Sequence, residues 1–264
     1  MLFRSAMKRW LAGPWFVKGV LQRCSGVLCT TRMEAERLIT YGARPPVHVV
    51  PLPVQPASPA PAGAREAFRR RHGIPTDAEV VLFLSRIDPI KGIEVLIPAL
   101  AALKRLHPRL WFVLAGSGEP DFMGRVRGWV QYHGISEWTT LPGFLAGDAK
   151  QAAFAASDMF VLPSRKENFG IVVVEAMYAG LPVVISNVVQ IHEEIVGEGA
   201  GVSFETGEAT CRTAIASLLH DAEARRVMGE RARRAAGVLF SPATAAARLE
   251  DVYLSCRRGV GSTS

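Results

Sequence analysis

Two glutamates eight positions apart, Glu167 and Glu175, give the sharpest chemical signal in the sequence. Glu175 interrupts the apolar run IVVVEAM, where an ionised carboxylate is costly unless a partner pairs with it or donates hydrogen bonds to it. Hydroxyl groups of a sugar or a ribose would serve as that partner. A structural arginine, or an exposed helix face, would also account for Glu175. With Glu167 in a loop and Glu175 in a helix that begins near Phe169, the two carboxylates could hold the two ends of one extended ligand.

A second candidate group is cationic. Arg86 and Lys91 lie in the segment SRIDPIKG, between a predicted strand and a helix predicted from Gly92. Two cations at the N-terminus of a helix, where free backbone amides also point, form a site for a phosphate or diphosphate. Solvated loop charges are the alternative interpretation of both residues.

Glycines mark two further places where a ligand could approach the backbone. Gly116 and Gly118 follow the run LWFVLA, but a dinucleotide-binding fingerprint would need a third glycine where Asp121 stands. This difference argues against a nicotinamide cofactor, and a tight turn without a ligand is the alternative. Gly170 precedes the helix that carries Glu175, so it leaves room at the first helical amides, where the helix dipole favours an anionic phosphate.

These residues must be positioned by short β-rich runs that alternate with longer helical stretches. The predicted strands are Gly26–Thr30, Val47–Leu52, Val80–Ser85, Leu110–Ala115, Thr139–Leu141, Met159–Leu162, Pro182–Ser186 and Gly201–Phe204. The predicted helices are Gly92–His107, Pro120–His133, Lys150–Ala156, Phe169–Ala179, Glu208–Asp221, Glu223–Ala236 and Ala243–Cys256. Runs such as VVLFL are apolar throughout, which is typical of parallel strands covered by helices on both faces. We therefore expect an α/β protein with a doubly wound parallel sheet that binds ligands at the carboxyl ends of its strands.

The composition narrows the possible functions. The 264 residues carry a net charge of +7, yet residues 1–33 alone hold six basic residues and no acidic one, so the rest of the chain is nearly neutral. A nucleic-acid-binding domain, which would spread basic and aromatic residues over a folded surface, is not expected. No apolar run reaches the roughly 20 residues that span a bilayer. The four cysteines form no C-x-x-C pair, and we expect reduced thiols in a cytoplasmic protein.

Four segments in order, SRIDPIKG, VLAGSGEP, PGF and ASDMFVLPSRKENFGIVVVEAMYAGLPVVIS, strongly resemble the nucleotide-sugar-binding half of family 4 (group 1) glycosyltransferases. That family has the GT-B fold, in which two Rossmann-like domains face each other. The resemblance runs from about Val80 to Phe204, and its most specific part is the E-x7-E pair followed by AGLPVV. The arginine and the Lys-Gly pair of SRIDPIKG are an independent match.

The resemblance implies a role for each matched residue. Arg86 and Lys91 would neutralise the donor diphosphate, and Glu167 would hold the transferred sugar beside them as the third catalytic residue. Glu175 would hold the ribose hydroxyls. The other donor-binding residues would be Gly116, Gly118, Gly143, Phe144, Leu145, Asn168, Phe169, Gly170 and Ile171. Among them, the loop that begins at Gly143 would lie near the nucleotide base. Such enzymes retain the anomeric configuration, generally without a bound metal ion, and need no cofactor because the nucleotide-diphosphate sugar is the substrate. His192 could approach the site, but a structural role explains it more simply.

The resemblance also implies how the chain is divided. Residues 1–55 resemble the end of an N-terminal, acceptor-side domain, and residues 56–78 hold a proline-rich linker with the helix after it. Residues 79–240 would form the donor-binding domain, and 241–264 a terminal helix that crosses back. Family members begin with a Gly-rich β-turn-α unit that this sequence lacks, so we expect most of the N-terminal domain to be missing. Met1–Ser5 also match a translation of a common sequencing adapter, which favours a truncated reading of a longer gene.

We therefore expect a retaining glycosyltransferase that moves a sugar from a UDP, GDP or other nucleotide donor to a glycan or lipid-linked acceptor. Its product would be a polysaccharide, a glycolipid or a similar glycoconjugate. The basic and aromatic residues of 1–23 could touch the anionic inner face of a membrane, or they could form a solvated helix of the N-terminal domain. Two other functions stay open: a non-catalytic nucleotide-sugar-binding module, and a sugar-nucleotide epimerase of related fold.

Overall fold

The computed structural model describes residue 19 and residues 21–260, which form two compact units. Val54–Ser241 make up the larger unit, and the smaller unit combines the residues up to Pro53 with those from Pro242 onward. The strands of the described residues are β1 (Val27–Cys29), β2 (Val47–Val49), β3 (Glu79–Leu84), β4 (Leu110–Ala115), β5 (Thr139–Gly143), β6 (Met159–Leu162), β7 (Val183–Ser186) and β8 (Gly201–Phe204). The α-helices between Arg32 and Val260 are α1 (Arg32–Tyr41), α2 (Ala64–Arg71), α3 (Ile93–Lys104), α4 (Pro120–Tyr132), α5 (Gly147–Ala155), α6 (Ile171–Tyr178), α7 (His192–Gly197), α8 (Glu208–Leu219), α9 (Ala222–Leu239) and α10 (Pro242–Val260).

Six strands of the larger unit form one parallel sheet in the order β5-β4-β3-β6-β7-β8. The order reverses between β3 and β6, and because crossover connections are right-handed, the reversal places helices on both faces of the sheet. Val80–Phe83 of β3 are fully buried, at 0% exposure, as a strand covered on both faces requires. The predicted fold class is confirmed. Ligand sites in such sheets lie at the carboxyl ends of the strands beside the reversal.

Two helices beside the reversal begin later than the sequence pattern predicts, and a glycine is the cause in each case. α3 begins at Ile93 because Gly92 adopts a left-handed backbone at φ +70°, after a 3-10 turn over Pro89–Lys91. α6 begins at Ile171 because Gly170 is left-handed at φ +78°. The apolar pattern of both helices continues back through these glycines, so it does not reveal that the backbone leaves the helical conformation there.

A buried ion-pair network ties α2 to the residues around the amino ends of β3 and β6. Arg69 is 3% exposed, and its Nη2 donates to Asp158 Oδ2 at 3.0 Å. The same carboxylate oxygen accepts the amide of Val80 at 2.7 Å, while Arg65 donates to Asp158 Oδ1 at 3.0 Å. The other N–H groups of the buried guanidinium donate to backbone carbonyls, those of Pro75, Thr76, Ala78 and Ala156. A network with this many satisfied partners fixes the sheet at the amino ends of its strands, opposite the predicted site.

The smaller unit contains a parallel pair of strands, β1 and β2, in which Val27 lies opposite Val47. The helix between them, α1, begins with a reciprocal cap. Thr31 Oγ1 accepts the amide of Glu34 at 3.1 Å, and the Glu34 carboxylate accepts the amide of Thr30 at 2.8 Å. These bonds satisfy amide groups that would otherwise lack partners at the start of the helix.

Several sequence predictions concern the start of the chain. Met1–Ser5 and most of the basic and aromatic stretch in residues 1–23 lie outside the described residues. Of the helices that the structure does describe, none combines the length and the apolar character needed to cross a membrane. All four cysteines are unpaired thiols, and burial raises the pKa of Cys211 to about 12.

Candidate functional site

The loops that follow β3 and β6 lie side by side where the sheet order reverses. The amide of Arg165 donates to the carbonyl oxygen of Ile90 at 2.8 Å. A Cβ atom on Gly92 would lie 2.0 Å from the carbonyl oxygen of Pro163, so only glycine permits this approach of the two loops. The cationic segment and the glutamate segment of the sequence thus form one surface.

An ion pair joins the two loops. Lys91 Nζ donates a hydrogen bond to Glu167 Oε2, and the two side chains are only 11% and 17% exposed. An isolated parallel bridge to Val189 also holds the backbone of Glu167. Because water reaches both charges poorly, each charge depends on the other for its stabilisation. The structure therefore places a cation and a carboxylate in contact at the carboxyl end of the sheet.

The N-terminus of α6 opens beside this ion pair. Gly170 turns the chain into the helix, and its carbonyl oxygen accepts the amide of Val173 at 2.8 Å. The amides of Ile171 and Val172 have no acceptor among the described residues. Two free amides at the positive end of a helix dipole favour an anion.

The residues around Gly170 differ in what they can offer a ligand. Phe169 is 3% exposed and packs edge-on against Phe240, with ring centroids 5.5 Å apart, so its side chain belongs to the core. Asn168 and Ile171 are exposed. Of the predicted donor-binding residues in this segment, Asn168 and Ile171 therefore present side chains, whereas Phe169 and Gly170 present backbone.

Glu175 forms a second lysine–glutamate pair, with a residue that the sequence reasoning missed. Lys150 Nζ donates to Glu175 Oε1 at 2.7 Å, and the side chains are 24% and 26% exposed. The partner in the structure is therefore a lysine, not the structural arginine that was one alternative. Lys150 lies in the first turn of α5, which begins at Gly147, three residues before the predicted start. A lysine there opposes the helix dipole, and that unfavourable position is the sequence signal that could have identified it.

A cavity of about 580 Å³ lies beside Glu175. The proline-rich segment Gln55–Ala60 lines one side of it, and α6 contributes Tyr178 together with Glu175. Arg233 donates to the carbonyl oxygens of Tyr178 and Ala179 at 3.2 and 3.0 Å and so closes the C-terminal end of α6. Burial raises the pKa of the Tyr178 hydroxyl. The volume lies within the range of about 300–1,000 Å³ that small-molecule sites occupy.

The glycine turn after β4 packs against the loop after β3. A Cβ atom on Gly116 would lie 1.8 Å from the carbonyl oxygen of Ser85, and one on Gly118 would lie 2.0 Å from that of Ile87. The backbone of Ser117 also accepts the amide of Ile87 at 2.8 Å. This contact of loop with loop accounts for both glycines, and their part in donor binding stays a prediction.

Arg86 is exposed and has no hydrogen-bond or ion-pair partner among the described residues. It lines a cleft of about 510 Å³ between the loop after β3 and the start of α4. Asp88 in the same cleft caps the 3-10 turn by accepting the amide of Ile90 at 2.9 Å. The guanidinium of Arg86 is therefore available to a ligand, whereas the ammonium of Lys91 already faces Glu167.

The predicted base-binding loop lies on another side of α5. Gly143 ends β5 at φ +81°, Phe144 is 73% exposed, and Leu145 follows. Phe144 and Leu145 line a cleft of about 660 Å³ with the start of α2, and this cleft shares no lining residue with the cavity beside Glu175. α5 contributes to both, through Asp148, Ala149 and Ala152 on one side and Gln151 and Ala155 on the other. Contact of this loop with a nucleotide base stays a prediction.

His192 is held by the backbone. Its Nδ1 donates to the carbonyl oxygen of Val189 at 3.0 Å, at the start of α7. This bond fits the structural role that the sequence favoured for the residue. In the part of the chain that the structure describes, no three His, Cys, Asp or Glu side chains are grouped closely enough to hold a metal ion.

Comparison with known proteins places these features in a family. Residues 64–235 match the family described as "Glycosyl transferases group 1". The chain is 34% identical over 254 residues to D-inositol 3-phosphate glycosyltransferase of Kineococcus radiotolerans, covering 88% of this chain and 57% of that protein. The chain thus spans less than two thirds of that relative's length.

Two solved structures share the fold. Sucrose-phosphate synthase of Thermosynechococcus elongatus superposes with a TM-score of 0.77 at 24% identity, covering 95% of this chain and 62% of that one. HepE of Anabaena, solved in complex with UDP, superposes with a TM-score of 0.79 at 21% identity, covering 92% of this chain and 67% of that one. At these identities the likeness concerns the fold. The match over residues 64–235 includes both lysine–glutamate pairs, and the chain belongs to the family of group 1 glycosyl transferases.

Proposed function

We propose that this chain binds the nucleotide-diphosphate sugar of a retaining glycosyltransferase, which moves the sugar to a glycan or lipid-linked acceptor. One observation carries the proposal. The Lys91–Glu167 pair lies where the strand order reverses, beside the free amides of Ile171 and Val172. This edge of a doubly wound sheet is where such folds bind their ligands.

The diphosphate of the donor lies between the two loops in this proposal. Lys91 and the unpartnered Arg86 supply positive charge, and the free amides at the start of α6 supply hydrogen-bond donors. Negative charge develops on the leaving diphosphate as the glycosidic bond breaks. Groups that are already aimed at that charge lower the barrier because they need no reorganisation during the reaction.

The transferred sugar lies beside Glu167 and the backbone of Phe169 and Gly170, with Asn168 within the same loop. Glu167 accepts hydrogen bonds from sugar hydroxyls while it remains paired with Lys91, because a carboxylate has about four acceptor positions. The two glutamates need not act as the acid and base of a hydrolase. The acceptor attacks the face that the diphosphate leaves, and the leaving phosphate takes up the acceptor's proton, so the anomeric configuration is retained.

The nucleoside extends from the diphosphate toward α5 and α6. Glu175 accepts hydrogen bonds from the ribose hydroxyls, and the loop Gly143–Leu145 contacts the base. HepE binds UDP in its solved complex, which supports a nucleoside diphosphate as part of the donor. Gly116 and Gly118 contribute by seating the loop that carries Arg86.

The acceptor side is proposed from the division of the chain. Residues 79–240 form the donor domain, and residues 56–78 hold the linker with its helix. Residues 1–55 belong to the acceptor-side domain, and residues 241–264 form the terminal cross-over helix and tail. The enzyme works in the cytoplasm in this proposal, in the assembly of a polysaccharide or glycolipid.

A product assay tests the proposal and its two alternatives. The product of the complete gene is incubated with a panel of labelled nucleotide sugars, with and without a panel of glycan and lipid acceptors. The proposal predicts a new glycoside with the anomeric configuration of the donor. Donor binding without transfer to any acceptor would favour a non-catalytic binding module. Conversion of the free nucleotide sugar without an acceptor would favour an epimerase.

A further inference from the structure

The position of Lys150 is not explained by the stability of its own helix. Lys150 lies in the first turn of α5, where the helix dipole disfavours a cation. Its ammonium has no hydrogen-bond acceptor among the described residues other than Glu175 Oε1, at 2.7 Å. Ion pairs that are as open to water as this one, at 24% and 26% exposure, add little to the stability of a fold. The pairing therefore points to what Lys150 does for Glu175.

Lys150 fixes a carboxylate that is otherwise free at its second oxygen. Glu175 Oε1 accepts from Lys150, whereas Oε2 has no partner among the described residues. Each carboxylate oxygen has two acceptor positions, so the held carboxylate can still accept from two neighbouring hydroxyl groups. Glu175 also lines the cavity of about 580 Å³, so a ligand can reach it. A vicinal diol presents two hydroxyl donors of this kind.

We propose that Lys150 is a positioning residue, which holds Glu175 for the 2′ and 3′ hydroxyls of the donor and so makes the site select ribonucleotides over dideoxyribonucleotides. The inference rests on the proposed function, in which Glu175 binds the ribose. A glutamate side chain that is already held loses less rotamer freedom when the diol binds. Lys150 is not among the residues that line the cavity beside Glu175, and in this proposal it acts on the diol through Glu175.

The test measures the affinities of UDP and 2′,3′-dideoxy-UDP by calorimetry. Wild-type protein should bind UDP about tenfold more tightly, the factor expected for hydrogen bonds to a charged group. In Lys150→Met the affinity for UDP should fall to near that for the dideoxy compound, while the affinity for the dideoxy compound should stay within about twofold. Lys150→Arg should restore most of the preference, because arginine supplies a cation at the same position. Lys150→Gln is the second neutral variant if the methionine variant does not fold.

Two controls separate positioning from general effects of charge. Lys166→Met removes the same charge from an exposed residue of the loop before Glu167 and should leave the ratio of the two affinities unchanged. In a Glu175→Gln background, Lys150→Met should no longer change that ratio, because the two residues act as one unit.

Each outcome decides a different claim. Loss of the ribose preference in Lys150→Met with its return in Lys150→Arg supports the inference. A preference that survives in Lys150→Met overturns the inference and leaves the proposed function standing. Equal binding of both nucleotides by the wild-type protein would show that Glu175 does not bind the ribose diol, and this overturns the inference. It would not contradict the binding of the diphosphate. If UDP, GDP and the other common nucleoside diphosphates all fail to bind, the proposed function itself is wrong and the inference falls with it.

Discussion

Lys91 and Glu167 lie 76 positions apart in the chain and form an ion pair between the loops that follow β3 and β6. These two strands are neighbours at the point where the sheet order reverses. The pair brings the cationic segment and the glutamate segment of the sequence onto one surface, and the free amides of α6 lie beside it. This arrangement separates two roles that can be tested independently, the binding of a diphosphate and the binding of a sugar.

Substitutions at the two members of the pair should affect different parts of the donor. Lys91→Met removes a cation, so the affinity for UDP should fall by about tenfold or more, the loss expected for a charge-assisted hydrogen bond. Glu167→Gln keeps the size of the side chain but removes its charge. Glu167→Gln should change the affinity for UDP by no more than about threefold. It should reduce the amount by which a matched UDP-sugar binds more tightly than UDP. Calorimetry with UDP and the UDP-sugar measures both values. An equal loss for both ligands in Glu167→Gln would show that Glu167 does not bind the sugar.

The glycine turn after β4 gives a prediction on stability. Gly116→Ala should destabilise the protein by about 2–4 kcal/mol, because its φ of +143° strains any other residue and the added Cβ meets the Ser85 carbonyl oxygen. Gly124→Ala is the matched control, since nothing lies within 4 Å of the new methyl group on α4. It should raise stability by roughly 0.5–1 kcal/mol. Urea unfolding measures both variants, and equal stability of the two would refute this account of Gly116.

The network under α2 gives a second prediction on stability. Arg69→Met removes the buried guanidinium that donates to Asp158 and to four backbone carbonyls, so we expect a loss of about 3–5 kcal/mol of unfolding free energy. Arg226→Met is the matched control, because Arg226 pairs with Glu223 and Glu230 on an exposed face of α9. The control should leave the midpoint of thermal unfolding nearly unchanged. A similar shift in both variants would mean that burial of the Arg69 network contributes nothing.

Acid should weaken the fold through the buried His107 and the half-buried His72. Burial, and then the neighbouring His220, lower the pKa of His107, whose ring lies 5.0 Å from that of His220. As the pH falls, His107 therefore becomes protonated in the unfolded chain at a higher pH than in the folded protein. The contribution of neutral His107 to stability is lost as the pH falls below about 6.5. Burial also lowers the pKa of His72, so protonation of His72 should destabilise the fold in acid as well. Urea unfolding at pH values above and below about 6.5 should show a lower unfolding free energy in acid. The difference in unfolding free energy between the two pH values should be smaller in His107→Asn. An unchanged difference in that variant would contradict the assignment.

The sequence predicts the sheet well because its strands are apolar on both faces. The runs VVLFL and LWFVLA in β3 and β4 are found where they were expected, and the pattern of alternating helices gives the fold class. The contacts of backbone with backbone at Gly92 and Gly116 were not predictable, because they depend on which loops become neighbours.

The partners of charged residues were the other part that the sequence did not reveal. Glu175 was singled out because its apolar surroundings require a partner, but the partner itself, Lys150, lies 25 positions away on another helix. Arg69 and Asp158 were missed altogether, since a buried arginine with five backbone and carboxylate acceptors has no periodic signature in the sequence. Polar networks depend on the tertiary arrangement, whereas apolar periodicity can be recognised within a short stretch of the sequence.

The most direct test of the central claim is the affinity of the chain for nucleoside diphosphates, measured by calorimetry for the wild type, Arg86→Ala and Glu175→Ala. Glu193→Ala, at an exposed position of α7, is the control. The account predicts that the wild type and the control bind the same nucleoside diphosphate equally, and that each of the other two variants binds it at least about tenfold more weakly. Affinities that are unchanged in both Arg86→Ala and Glu175→Ala would contradict the assignment of the donor site.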